Sequence, residues 1–207
     1  MKARRFLLAL KGMGVQYLLL EGKGGSSLEE LFEKVKGCRR CKLWQGRTHV
    51  VFGEGDLKAR IMFVGEAPGE EEDRLGRPFV GRAGRLLDEL MERAGLKRQE
   101  VYIANVLKCR PPSNRDPEED EIEACREYLF AQIAIIKPKV IVTLGRYALR
   151  VLSGGEEKIT MVRGSLREHM GSKLVPTYHP SFLLRNERKM VEAIEDIRKA
   201  RELLLTR

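Results

Sequence analysis

The chain has 207 residues, enough to bury one substantial core, and a formal net charge of +9. Its longest apolar runs near the start, residues 6–10 and 17–20, are interrupted by Lys11 and closed by Glu21, which argues against a membrane span or an export core and for a soluble, cytoplasmic protein. Charged residues make up 33% of the sequence while Asn and Gln together number seven, a bias found in proteins from hot environments.

Residues 1–27 read as an appendage that ends in a Gly- and Ser-rich linker, and Ser27 with Glu30 three residues later is a capping-box start for the first helix of the main domain, residues 28–207. The basic excess is concentrated early: residues 1–60 carry 13 Lys and Arg against 6 Asp and Glu, whereas the rest is nearly balanced. A polyanion such as DNA would be drawn to that region, as would any solubilising role for charge. From Arg60 onward short β-branched runs alternate with amphipathic helices, the pattern of a parallel sheet covered on both faces. Strands are expected at residues 61–64, 101–107, 140–144 and 175–178. Between them, Leu86, Leu87, Leu90, Met91 and Ala94 mark one helix stripe, and Ile122, Cys125, Leu129, Ile133 and Ile136 another. Asp116 is the expected cap of that second helix, with Pro117 in its first turn and Lys137-Pro138 as its stop. Met190, Val191, Ile194, Ile197 and Leu204 mark a closing helix.

In open α/β sheets ligands sit outside the carboxyl ends of the strands, so the residues that follow each strand are the informative ones. The first strand leads into Gly65-Glu66-Ala67-Pro68-Gly69-Glu70-Glu71-Glu72-Asp73 and then a segment containing Phe79. A dinucleotide loop would need Gly-x-Gly-x-x-Gly, which is missing, and four consecutive acids would repel a pyrophosphate. The second strand carries Asn105, and the last delivers His179-Pro180-Ser181-Phe182-Leu183-Leu184.

The chain has four cysteines, Cys38 and Cys41 as Cys-x2-Cys and Cys109 and Cys125 as Cys-x15-Cys. Structural zinc sites usually take two close pairs, iron-sulfur clusters tolerate irregular spacing, and unrelated thiols or a disulfide stay open on spacing alone.

The two glycine-rich loops, Asn105, the His179-Pro180-Ser181 loop and the four cysteines in order together closely resemble the family four uracil-DNA glycosylases, the thermostable iron-sulfur branch of that superfamily. The resemblance covers roughly residues 28–207. It implies a three-layer α/β/α fold with a central, mostly parallel four-stranded sheet, and a [4Fe-4S] cluster on Cys38, Cys41, Cys109 and Cys125. It also implies excision of uracil from single- or double-stranded DNA by a monomer with no membrane association. In the better-known branch of the superfamily the first motif reads Gly-Gln-Asp-Pro, with the Asp positioning water; Ala67 stands in that place here.

Chemistry assigns the parts. An enzyme that cleaves a glycosidic bond within DNA must extrude the nucleotide, stack the base and read its edge. Phe79 offers the stacking face, and Asn105 can present donor and acceptor to uracil N3 and O4. His179 is the candidate donor to O2, supported by main-chain groups from Gly65 through Ala67. Glu66, given a catalytic role, is left either to orient the water or to hold uracil through its backbone. Glu72 is the candidate wall against a C5 methyl, residues 182–184 are the candidate wedge, and backbone groups at Ser181 and near Gly84 are expected to grip phosphates. The competing reading is a metal-stapled nucleic-acid-binding module without catalysis.

Overall fold

A computed structural model describes residues 27–205. The expected appendage of residues 1–27 lies outside the described residues except for Ser27, whose Oγ accepts from the Glu30 amide at 3.2 Å and so starts helix α1 (Leu28–Lys36) as anticipated.

The sheet has six strands rather than four. In chain order they are β1 (Glu54–Gly55), β2 (Ile61–Gly65), β3 (Tyr102–Asn105), β4 (Val140–Leu144), β5 (Arg167–His169) and β6 (Ser172–Thr177). They lie in the order β1-β3-β2-β4-β6-β5. The four central strands are parallel, and β1 and β5 close the two edges antiparallel. The edge strands escape sequence reading because they are two and three residues long and carry Glu-Gly and Arg-Glu-His instead of an apolar run. The central strands are legible for the opposite reason. All five residues of both β2 and β4 are buried, as parallel strands covered on both faces require.

Alternation along β2 divides the core. Met62 and Val64 face a cluster with α1, α4 (Glu119–Ile136) and α5 (Arg146–Ser153). Ile61 and Phe63 face a second cluster with α3 (Arg82–Arg93), α7 (Pro180–Leu183) and α8 (Met190–Glu202). Two short helices, α2 (Glu70–Leu75) and α6 (Ile159–Val162), complete the described α-helical elements. Fully burying a side chain such as Phe63 contributes about 1.5–3 kcal/mol.

Several details differ from expectation, among them the last strand, which runs over Ser172–Thr177. Helix α4 begins after Glu118, which exchanges capping hydrogen bonds with Glu121, while Asp116 pairs with Arg146 at 2.5 Å. Pro117 thus precedes the helix. Strand β3 ends at Asn105, because the backbone beyond it turns: the Val106 and Leu107 amides donate to the carbonyls of Gly65 and Glu66. In α8 Ile194 and Ile197 are buried, but Val191 is exposed. The chain order places β3 on one side of β2 and β4 on the other, so the connections diverge at the carboxyl end of β2, where such sheets open a crevice.

Candidate active site

That crevice is a cavity of about 460 Å³, and Glu66, Ala67, Glu72, Phe79, Asn105 and His179 all line it. Gly65, also expected at the site, does not line the cavity but stands behind Asn105 and Phe79. It pairs in register with Asn105, and a β-carbon there would fall on Asn105 Oδ1 and lie 2.5 and 2.6 Å from Phe79 Cζ and Cε2. Gly65 is therefore required for space. Asn105 is 1% exposed, and its Oδ1 has no hydrogen-bond partner, an orphaned acceptor in a site where burial without a donor costs about 1–3 kcal/mol.

Phe79 is buried and lies 5.8 Å from the His179 ring, centroid to centroid. Its φ is +51°, in the left-handed region that bulky side chains seldom adopt. The Glu72 carboxylate holds this turn from the cavity side: Oε1 accepts from the Val80 amide at 2.9 Å and the Gly81 amide at 2.8 Å. Glu72 is thus a fixed element of the wall.

His179 caps α7, and its Nδ1 accepts from the Ser181 amide at 3.1 Å, with Ser181 Oγ at 2.7 Å. An amide can only donate, so Nδ1 carries no proton and the neutral ring carries it on Nε2. Burial lowers the His179 pKa to about 4, with Glu72 opposing, which keeps the imidazole neutral at working pH. Gly145 leaves the room: with φ +84°, a β-carbon there would sit 2.9 Å from His179 Cβ. The Ser181 amide, expected to face phosphate, is engaged with the imidazole instead.

Glu66 is half-buried with no cation paired to its carboxylate among the described residues. Burial, with Asp116 adding to it and Arg146 opposing, raises its pKa from 4.5 to about 7. Of the candidate wedge, Leu183 is fully buried and Phe182 stacks on Tyr178 at 5.2 Å, so both anchor α7. Leu184 alone of the three reaches the cavity. Arg115 lines the rim but donates two hydrogen bonds to the buried Glu121 carboxylate, whereas Arg82 is exposed on the same rim.

These features coincide with a family. The model of the Uracil DNA glycosylase superfamily matches residues 52–204. A type-4 uracil-DNA glycosylase of Sulfurisphaera tokodaii is 54% identical over 87% of this chain and 86% of its own length. One of Thermotoga maritima is 52% identical over 86% of this chain and 94% of its own. A third, of Archaeoglobus fulgidus, is 43% identical over 86% and 93%. The chain belongs to the type-4 uracil-DNA glycosylases.

Cys38, Cys41, Cys109 and Cys125 line one small cavity beneath α1 and α4, separate from the crevice. Backbone and guanidinium donors point at three of the sulfurs: Arg40 N at 3.5 Å from Cys38, Arg47 Nη1 at 3.2 Å from Cys109 and Lys108 N at 3.3 Å from Cys125. Lys108 is 1% exposed with no carboxylate partner among the described residues; its Nζ donates to the Asn105 carbonyl at 2.8 Å and Gln132 Oε1 at 2.7 Å. N–H donors and a buried ammonium around four sulfurs suit thiolates, which a metal must hold ionised because burial pushes the free Cys125 thiol up to about 12. Among the described residues no three His, Cys, Asp or Glu side chains close around a point as a single ion demands.

Sequence reading missed the ring that fixes Phe79 from behind. Arg98, Glu54 and Asp88 belong to it, and their only sequence signal is charge in a short turn, on a two-residue edge strand and on a half-buried helix face.

Proposed function

We propose that this chain is a DNA-repair glycosylase that flips uracil out of DNA and hydrolyses its N-glycosidic bond, leaving an abasic site. The observation that carries the reading is Asn105. Its orphaned Oδ1 needs an N–H donor, and uracil N3–H supplies one, whereas the corresponding nitrogen of cytosine is an acceptor and would be repelled. Phe79 stacks the extruded base, worth about 1–3 kcal/mol at such sites. Glu72, held by two amides, stands as a rigid wall where a C5 methyl would project; ordinary packing against one methyl discriminates by about 1–3 kcal/mol.

In the reaction the bond from C1′ to N1 breaks with its electron pair going to uracil. The neutral His179 donates from Nε2 to the oxygen on which that charge develops, and because the ring keeps its proton the leaving group departs as a stabilised anion. Water then adds at C1′, and Glu66, with a pKa near neutrality and no ion pair to its carboxylate among the described residues, accepts the water proton. Ala67 supplies no carboxylate.

Cys38, Cys41, Cys109 and Cys125 would hold a [4Fe-4S] cluster, since a cluster spreads its ligands wider than a single zinc ion does. When bound, it supplies a covalent tie between the loop after α1, the segment after Asn105 and helix α4. Lys108 then balances thiolate charge while it braces the strand end. We take residues 28–207 as the catalytic domain, acting as a monomer on single- or double-stranded DNA in the cytoplasm.

The direct test incubates the metal-loaded protein with a uracil-containing oligonucleotide and then alkali. Free uracil and strand cleavage at the uracil position are expected; binding without release would assign the fold to nucleic-acid recognition alone.

A further inference from the structure

We propose that Arg98 is a positioning residue for uracil excision that acts through Phe79. The proposal rests on the reading that Phe79 stacks the flipped base, and it extends that reading to a residue outside the crevice. Arg98 precedes β3 in a short 3-10 turn, Arg98–Glu100, and does not line the cavity. Its guanidinium nevertheless reaches the backbone that carries Phe79: Nη1 donates to the Phe79 carbonyl at 3.2 Å and Nη2 to the Pro78 carbonyl at 2.6 Å.

The guanidinium is itself fixed. Nε and Nη2 donate to Glu54 Oε1 on edge strand β1 at 3.1 and 2.7 Å, and Nη1 donates to Asp88 Oδ1 on α3 at 2.8 Å. A planar fork with five donors suits this task, since it satisfies two carbonyls and two carboxylates at once. Glu72 takes the next two amides, Val80 and Gly81, from the opposite side. Four consecutive residues are therefore gripped by two oppositely charged side chains, with the carbonyls held from behind and the amides from the cavity.

This grip falls where the chain needs it. Phe79 has φ +51°, and a β-carbon on Gly84 would collide with the Phe79 carbonyl group, so the first turn of α3 presses against the same peptide. An aromatic residue relaxed from that conformation would turn its ring away from Gly65 and His179, which define the slot for the base. Sparsely populated backbone conformations persist only when their surroundings over-determine them, and Arg98 supplies two hydrogen bonds to that turn from outside the site.

The test is a double-mutant cycle on single-turnover excision of uracil from an oligonucleotide. Arg98→Lys keeps a charge near Glu54 and Asp88 but loses the fork. The expected result is a loss of about tenfold or more with DNA binding at low salt unchanged, and less than about a twofold further loss when Arg98→Lys is added to Phe79→Ala. Asp88→Ala, which loosens the anchor without touching the turn, since the Asp88 carboxylate bonds only Arg98 among the described residues, serves as the second variant, with the same dependence on Phe79; it also decides the matter if Arg98→Lys fails to fold. Parent-like excision by either variant, or a loss that carries over undiminished onto Phe79→Ala, would overturn the proposal. Parent-like excision by Phe79→Ala itself would instead overturn the stacking reading on which it rests.

Discussion

Gly65 and Asn105 stand opposite each other at the ends of adjacent parallel strands, and the space that a β-carbon would fill on Gly65 is taken by the Asn105 side-chain oxygen and the edge of Phe79. The proposed slot for the base is thus built on an absent side chain. Gly65→Ala must push either Asn105 or Phe79, and overpacking of this kind costs about 1–3 kcal/mol of stability. The larger effect is expected on chemistry. A displacement of about 1 Å at a positioning group can lower the rate by about a hundredfold, so excision should fall by that order while salt-dependent DNA binding persists. Single-turnover rates beside a salt titration of binding check both halves.

Asn105→Ala should abolish the preference for uracil before it weakens DNA binding, because base reading and phosphate contact are carried by different groups. Filter-binding and excision measured on the same preparation separate the two. A parallel loss of both would indicate misfolding.

The central strands, the helix stripes and the residues at the strand ends were legible in the sequence because parallel strands buried on both faces leave unbroken apolar runs, and whatever follows such a run lies at the crevice. What was not legible depends on which partner claims a group once the chain is folded. Ser181 was expected to offer its amide to phosphate, but the amide donates to His179 Nδ1, two residues away and across a cap. Leu183 has the look of a wedge and is wholly buried. Asp116 has the composition of a helix cap, yet Arg146 on another element claims its carboxylate, and Glu118 takes the cap. Arg98 reaches Pro78 and Phe79 across about twenty residues of chain, with nothing local to announce it.

The cysteine centre makes its own prediction. Protein purified without oxygen should be brown, with broad absorbance near roughly 400 nm and about four irons per chain. Cys109→Ser should lower thermal stability and accelerate iron release under chelation, while any protein that stays folded retains excision. Colourless protein with one zinc per chain would replace the cluster with a single-ion site.

Glu66 links activity to stability. Its folded pKa of about 7 lies above its ordinary 4.5, so between those values the folded state binds more protons than the unfolded state and stability declines as pH rises. Glu66→Gln removes the cost of ionising this carboxyl in the crevice. The variant should gain on the order of 1–3 kcal/mol over the parent near pH 8 and distinctly less near pH 5, read from thermal or denaturant midpoints at the two pH values. A constant difference across that range would mean the carboxyl is not perturbed.

The most direct test of the account is single-turnover excision at saturating enzyme, which isolates the chemical step from release of abasic DNA. With Ala67 in place of a water-positioning acid, stabilisation of departing uracil by neutral His179 is predicted to outweigh activation of water. His179→Ala should therefore slow cleavage by about two orders of magnitude or more, the scale of one oxyanion donor, and Glu66→Gln should cost less. Because His179 stays neutral down to about pH 4, the parent rate between about pH 5 and 8 should follow the ionisation of Glu66 alone, rising to a plateau above pH 7. The height of that rise should match the loss in Glu66→Gln. The account is contradicted if folded, uracil-binding Glu66→Gln is inactive while His179→Ala cleaves nearly as fast as the parent.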